Sequence, residues 1–291
     1  MNRNTKNASW LTILSIIFLA QSIFAQPQNE ISLDKLSNTV VFIVNTQIEV
    51  IDYQGQKCEI FLKPLGQPNL IPKTNQTVGT GFFIGDKNKL FLVTANHIAS
   101  FTSGLTKIVL KTVNDTPIEF SISSIVGSDT LNWSHHATAD ASAIQIFPNK
   151  DVLPHLEGHF IPSEVLFSKL EAPSRDKPLT VLGFPLGLGS QGRFSPISKE
   201  SKAASGLISF PRADTNIIDD FFLLDSPSIG GFSGAPVFIL PKAYTVGSGL
   251  VFGNEFSCRG LVHGTLSDNT GGKLCAVVPS YKILECIEKI K

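Results

Sequence analysis

The chain has 291 residues, 42% of them hydrophobic and 16% charged, enough for one large domain or two small ones with real cores, and it does not read as disordered. Lys plus Arg and Asp plus Glu both number 24, so no excess of one sign marks nucleic acid or an anionic membrane as the partner. No block of sequence repeats, which sets aside a solenoid or a propeller.

The chain begins with Arg3 and Lys6, an apolar run from Trp10 to Ala20, and a polar stretch ending at the small residue Ala25. That is the three-part layout of a secretory signal peptide over residues 1–25, cut after Ala25. The run is shorter than the ~20 apolar residues a spanning helix needs. Cleavage removes two positive charges and leaves a mature chain of net charge about −2, expected in a periplasm or outside the cell without stable membrane insertion. Export makes Cys58, Cys258, Cys275 and Cys286 candidates for disulfides, with three possible connectivities and a spacing unlike a zinc site. Cys258 with Cys275 and Cys58 with Cys286 is the expected pairing, and free buried thiols are the alternative.

Beyond the signal, Ile31 to Leu36 predicts a helical turn and Thr39 to Val44 a strand. Strand-length apolar runs follow at Gly81–Ile84, Leu90–Thr94, Lys107–Leu110, Ile118–Ile122 and Ala141–Phe147, bounded by Gly, Asn, Asp or Pro. A looser stretch separates these from further runs at Leu179–Leu182, Gly206–Ile208, Phe221–Leu224, Pro236–Leu240, Gly260–Val262 and Leu274–Val278. Only Ser280 to Lys291 has helical spacing, with Ile283, Leu284, Ile287 and Ile290 on one face and Ser280 as N-cap. The expectation is an all-β protein of two packed six-stranded antiparallel barrels, residues 26–152 and 153–291, with a C-terminal helix. Periodicity alone also permits a sandwich.

Three segments carry chemistry. Leu92-Val93-Thr94-Ala95-Asn96-His97 puts a histidine at the end of an apolar strand, where a side chain can leave the core and face a cleft. Ala139-Asp140-Ala141 puts a carboxylate immediately before a buried strand, and Gly230-Gly231-Phe232-Ser233-Gly234 wraps a serine in glycines. Such glycines let the backbone turn sharply and aim successive amides at one point, making the N–H groups of Gly231 and Ser233 candidate oxyanion donors. Hydroxyl, imidazole, carboxylate and paired amides are what acyl transfer by a serine requires. Each segment alone also has a plain structural reading. His135 and His136 are weaker rival bases in a polar loop, and His155-Leu156-Glu157-Gly158-His159 lacks the order of a zinc-binding helix and reads as a surface loop.

Together these segments, in the order His97, Asp140, Ser233, resemble the trypsin-like (chymotrypsin-fold) serine peptidase superfamily, especially its bacterial glutamyl-endopeptidase-like and HtrA-like branches. Val181-Leu182-Gly183-Phe184-Pro185-Leu186-Gly187 and Ser205-Gly206-Leu207-Ile208-Ser209 are similar to further segments of those branches, so the resemblance runs from about Thr39 to the C-terminus. It implies that His97 and Asp140 come from the first barrel and Ser233 from the second. It further implies a serine endopeptidase acting on protein or peptide through an acyl-enzyme, with no metal or organic cofactor and no nucleic-acid partner; it leaves the oligomeric state open. A catalytically impaired binding module on the same scaffold is the alternative. The stretch after Ser233 is what the second barrel and its helix need, so no PDZ-like extension is expected.

One residue departs from the pattern. Phe232 stands where digestive members carry an Asp that pairs with a new N-terminus, so that activation switch is excluded, and a bulky ring must be buried beside the oxyanion loop. Pro227 stands where a basic-specific pocket has its Asp, and Ser228, His263, Gly264 and Thr265 match substrate-binding positions of glutamyl endopeptidases. An acidic residue on the acyl side of the cut and a small apolar one are both expectations of that match.

Overall fold

The computed structural model describes residues 32–66, 69–112, 114–246, 249–253 and 255–290. The expected signal peptide lies outside the described residues. Ser32 caps a short helix, α1 (Leu33–Ser37), by accepting the Lys35 N–H. The first sheet is then built from β1 (Val40–Ile48), β2 (Thr74–Asp86), β3 (Lys89–Thr94), β4 (Lys107–Lys111), β5 (Pro117–Ser121) and β6 (Ser142–Ile146). Their spatial order is β6-β3-β2-β1-β4-β5, all antiparallel. A one-turn helix, α2 (Asn96–Ala99), follows β3, and α3 (Ile122–Val126) follows β5. The sheet curls shut where the Phe147 and Asn149 N–H groups donate to Ile125 and Ser124 of α3.

The second sheet is built from β7 (Pro178–Gly183), β8 (Ile197–Lys202), β9 (Ile218–Leu224), β10 (Pro236–Ile239), β11 (Ser257–Ser267) and β12 (Lys273–Pro279), in the order β8-β7-β10-β11-β12-β9. It closes directly: Ala203 bridges Leu224, and the Asp225 N–H donates to Lys202. Two six-stranded antiparallel barrels result, with Ser134–His135 and Ile161–Pro162 as short additions to the first sheet and Ile208–Pro211 to the second, and closure removes most of the free edge that an open sheet exposes. The terminal helix α4 (Ser280–Glu288) packs Ile283, Cys286 and Ile287 inward against β6 and β11. Its N-cap is Pro279, not Ser280, whose hydroxyl donates instead to the Phe167 carbonyl in the segment joining the barrels.

Apolar runs became strands because both of their faces are covered: the consecutive Phe82, Phe83 and Ile84 of β2 and Phe91 and Leu92 of β3 are almost completely buried. Several parts of the fold were not foreseen, among them a hairpin of Lys242–Val246 with Gly249–Gly253. β8 reads Ile-Ser-Lys-Glu-Ser-Lys and has no apolar face, yet it pairs along its whole length with β7. Between β1 and β2 the chain makes two small hairpins, Val50–Tyr53 with Gln56–Glu59 and Phe61–Leu62 with Ile71–Pro72.

The expected disulfides are not made; all four cysteines are free. β11 and β12 are neighbours, but their register sets Cys275 against Thr265 and Cys258 against Phe238 of β10, so the two thiols sit at different heights and in separate hydrophobic clusters. Cys58 lies in a small hairpin while Cys286 is buried in α4. Burial pushes the Cys258, Cys275 and Cys286 thiols up to about 12, as inert structural residues.

Candidate active site

His97 enters at the second position of α2, whose N-cap, Ala95, has no side chain able to satisfy the first-turn amides. Asp140 does this from 43 residues away: its Oδ1 accepts the His97 backbone N–H at 2.8 Å. Its Oδ2 accepts the His97 ring Nδ1–H at 2.7 Å, which fixes the tautomer and leaves Nε2 as an acceptor on a ring that is 24% exposed. Burial alone would raise the pKa of the fully buried Asp140, yet hydrogen bonds from His263 and His97 hold it well below the usual carboxylate range.

The second imidazole was misread from sequence. His263 does not face a substrate pocket: its Nδ1 donates to the same Asp140 oxygen at 2.5 Å, and its ring meets that of His97 edge-on. The cause is an irregularity in β11, whose pairing with β12 slips between Val262 and Gly264 and turns His263 inward. Three ligand-type atoms thus lie within 4.8 Å of one another. The 2.7 and 2.5 Å separations are hydrogen-bond lengths, shorter than the roughly 3.3 Å between ligand atoms of a tetrahedral zinc, so protons rather than a metal ion fit between them. Arg212, also buried, adds Nη2 at 3.3 Å from Asp140 Oδ1, while its closer partner is Asp214.

The rival histidines are occupied elsewhere. His135 Nδ1 bonds Ser142, and His136 accepts the Ala139 N–H at Nδ1 while Nε2 donates to Glu285, so it shapes the loop that carries Asp140. Burial lowers the pKa of both. His155 and His159 lie on the far loop, His155 with its ring against Phe120.

Ser233 sits between Gly231 at φ +99° and Gly234 at φ +84°, both in the region that favours glycine. A methyl group on Gly234 would lie 2.2 Å from the Thr80 carbonyl and 2.9 Å from the Ala95 nitrogen, so the serine loop docks on the strand ends that carry His97. Thr80, fully buried, ties the two together: its N–H donates to the Ser233 carbonyl and its hydroxyl to the Gly231 carbonyl, each at 2.8 Å. The Ser233 hydroxyl donates to the His263 carbonyl at 3.3 Å rather than to His97.

The amides follow from the carbonyls, because N–H and C=O point opposite ways across a trans peptide. Leu186 N–H holds the Gly230 carbonyl at 2.6 Å, and Ala235 N–H holds the Phe232 carbonyl at 2.8 Å. The N–H groups of Gly231 and Ser233 are therefore turned the other way, and neither has a protein acceptor among the described residues. Sequence reasoning singled out these two amides but not Thr80 and Leu186, whose bonds to the neighbouring carbonyls orient the loop.

Phe232 is 1% exposed and packs in the second barrel's core with Val181, Ala235, Val237 and Val262. The ring anchors the serine loop as a hydrophobic plug. Phe232→Ala is expected to cost about 3–5 kcal/mol in a urea unfolding experiment; a loss under about 1 kcal/mol would show that the ring is not an anchor. On the other side of the loop, β10 pairs β11 only as far as Leu261, leaving one backbone edge of residues 263–267 without a strand neighbour among the described residues. Gly264 and Thr265 lie on this edge, and the Thr265 hydroxyl donates to the Ser228 carbonyl at 3.0 Å.

Two closed six-stranded barrels with His97, Asp140 and Ser233 brought to the junction between them define the chymotrypsin-like, two-barrel class of fold. No protein-family model and no curated protein matches the chain. Among solved structures it is similar to an inactive mutant form of Rv3671c from M. tuberculosis, at 16% identity over 91% of this chain and 93% of that one, TM-score 0.49. It is similar to the HtrA-type protease AlgW with a decapeptide, at 15% identity over 89% of this chain and 66% of that one, TM-score 0.48. It is also similar to the MamO protease domain from Magnetospirillum magneticum, at 12% identity over 86% and 96%, TM-score 0.46.

Proposed function

We propose that the chain is an exported serine endopeptidase, with Ser233 as nucleophile, His97 as general base and acid, and Asp140 orienting and stabilising the imidazolium. The observation that carries this reading is the pair of amides at Gly231 and Ser233 without an acceptor among the described residues, beside a hydroxyl bonded to the His263 carbonyl, with the tautomer-fixed His97 ring edge-on to that of His263. On binding, a peptide carbonyl meets the two amides and the Ser233 hydroxyl leaves the His263 carbonyl for His97 Nε2. His97 takes the proton as Oγ attacks; the two N–H groups hold the tetrahedral oxyanion; His97 then gives the proton to the departing amine. Water repeats the sequence on the acyl-enzyme. The substrate backbone lies as an added antiparallel strand on the free edge of residues 263–265.

Labelling of purified protein by a fluorophosphonate probe, with cleavage of a mixed peptide library, tests the reading. Labelling at Ser233 together with cleavage supports it; a folded protein that does neither is a binding module.

Phe232 leaves no carboxylate for a new N-terminal amine, so protein bearing extra residues ahead of Gln26 is expected to match the signal-trimmed form in kcat/KM. Activity that emerges only after a cut between Ser32 and Asn38 would reverse this.

A further inference from the structure

A small pocket lies beneath the serine loop, lined by Val181, Leu224, Phe232 and Val262 as apolar walls and by Lys199, Ser226, Pro227, Ser228 and Cys275. The Pro227–Phe232 stretch leads directly to Ser233, so this is the pocket into which the side chain on the acyl side of the cut points if the peptidase reading holds. No carboxylate lines it. Its one charged group is Lys199, which rises from β8 on the inward face it shares with Ser201 and donates its Nζ to the Pro227 carbonyl. Asp225, next to Ser226 in sequence, is turned away to the Ser201 hydroxyl and the Lys202 N–H.

We propose that Lys199 makes this pocket a carboxylate subsite, so that the chain selects Glu or Asp on the acyl side of the cut; this rests on the peptidase reading above. An ammonium whose acceptor is a neutral carbonyl, inside apolar walls, gains by exchanging that carbonyl for a carboxylate, since ionised pairs form the stronger hydrogen bonds and low polarity strengthens them. Ser226 and Ser228 also line the pocket, their hydroxyls now donating to the Ser201 hydroxyl and, over a long 3.5 Å, to the Ile229 carbonyl, and the Ser228 hydroxyl can turn to a carboxylate. The pocket holds only about 10 Å³, room for roughly one water, with Lys199 among its lining residues. The four-carbon stem lets the ammonium withdraw toward the floor as a carboxylate enters. The same charge repels Arg and Lys. The determinant is thus a lysine from β8, and not His263, which is committed to Asp140.

The test measures binding separately from hydrolysis. Fluorescent peptides differing only in Glu, Gln, Ala or Arg at this position are titrated against Ser233→Ala protein, alone and with Lys199→Gln or Lys199→Glu added. Glu is expected to bind at least tenfold tighter than its isostere Gln, the difference to vanish in Lys199→Gln, and Lys199→Glu to favour Arg. Lys199→Arg, which keeps the charge, retains the Glu preference and covers the case of a poorly folded Lys199→Gln protein. Equal binding of Glu and Gln, a preference that survives Lys199→Gln, or no binding of any peptide overturns the subsite. Fluorophosphonate labelling of wild-type protein fails separately: labelling without Glu preference removes only the subsite, and Glu preference without labelling removes only the peptidase.

Discussion

Ser233→Ala is expected to lower kcat/KM on every cleaved peptide by at least about a thousandfold, and to abolish fluorophosphonate labelling, with no change in unfolding midpoint beyond a few tenths of a kcal/mol. The size follows from the chemistry: without the hydroxyl, the two loop amides still bind a carbonyl, but nothing attacks it, and only the residual acceleration from binding and oxyanion stabilisation survives. The silent stability follows from the structure, where the hydroxyl makes a single long bond to the His263 carbonyl and the serine is half-buried. Activity within tenfold of wild type in folded protein would move the nucleophile elsewhere in the chain.

Asp140→Asn is expected to cost about 10⁴-fold in kcat, by loss of the imidazolium's counter-charge and of the fixed tautomer. Here the carboxylate also receives donors on both oxygens: the His97 backbone N–H and Arg212 on Oδ1, the two imidazoles on Oδ2. An amide can offer an acceptor on one side only, so its NH2 group must face a donor, and the variant is destabilised as well as slowed. The sign of the pH effect is fixed. Because the folded-state pKa of Asp140 is depressed, its contribution to stability is fully present above the unfolded value near 4 and is lost as the pH falls below it toward the folded value. Urea midpoints of wild type should therefore fall between about pH 4 and pH 2, and the Asn variant should lack that part of the fall. A folded Asn variant within tenfold of wild-type kcat, with the same acid profile, would remove Asp140 from the site.

Most of the barrels was legible because their strands are dense in Val, Ile, Leu and Phe, whose burial the sequence advertises. β8 was not: Ser201 and Lys199 face inward but make polar bonds, to Asp225 and to the Pro227 carbonyl, so no hydrophobic period marks the strand. In the site, His97, Asp140 and Ser233 stood out because each sits in a local setting with a chemical reason, a strand end or a glycine-flanked turn. The residues that orient them did not. Thr80 acts through its backbone and hydroxyl on a loop some 150 residues later, Leu186 acts through its amide alone, and Arg212 reaches Asp140 across 72 residues. His263 was assigned to substrate because a regular strand predicts its direction, and the slip in β11 that turns it round leaves no mark in composition.

The bonds from Thr80 to the Gly231 and Ser233 carbonyls have a consequence for how the chain comes into being. A polypeptide emerging amino end first completes residues 40–146, which carry His97 and Asp140, well before residue 233 exists. The serine loop gains its resting shape only by settling on that earlier half. Neither portion therefore presents the assembled site while unfinished, and the grouping of His97, Asp140 and Ser233 is complete only when both barrels are, as a by-product of assembly.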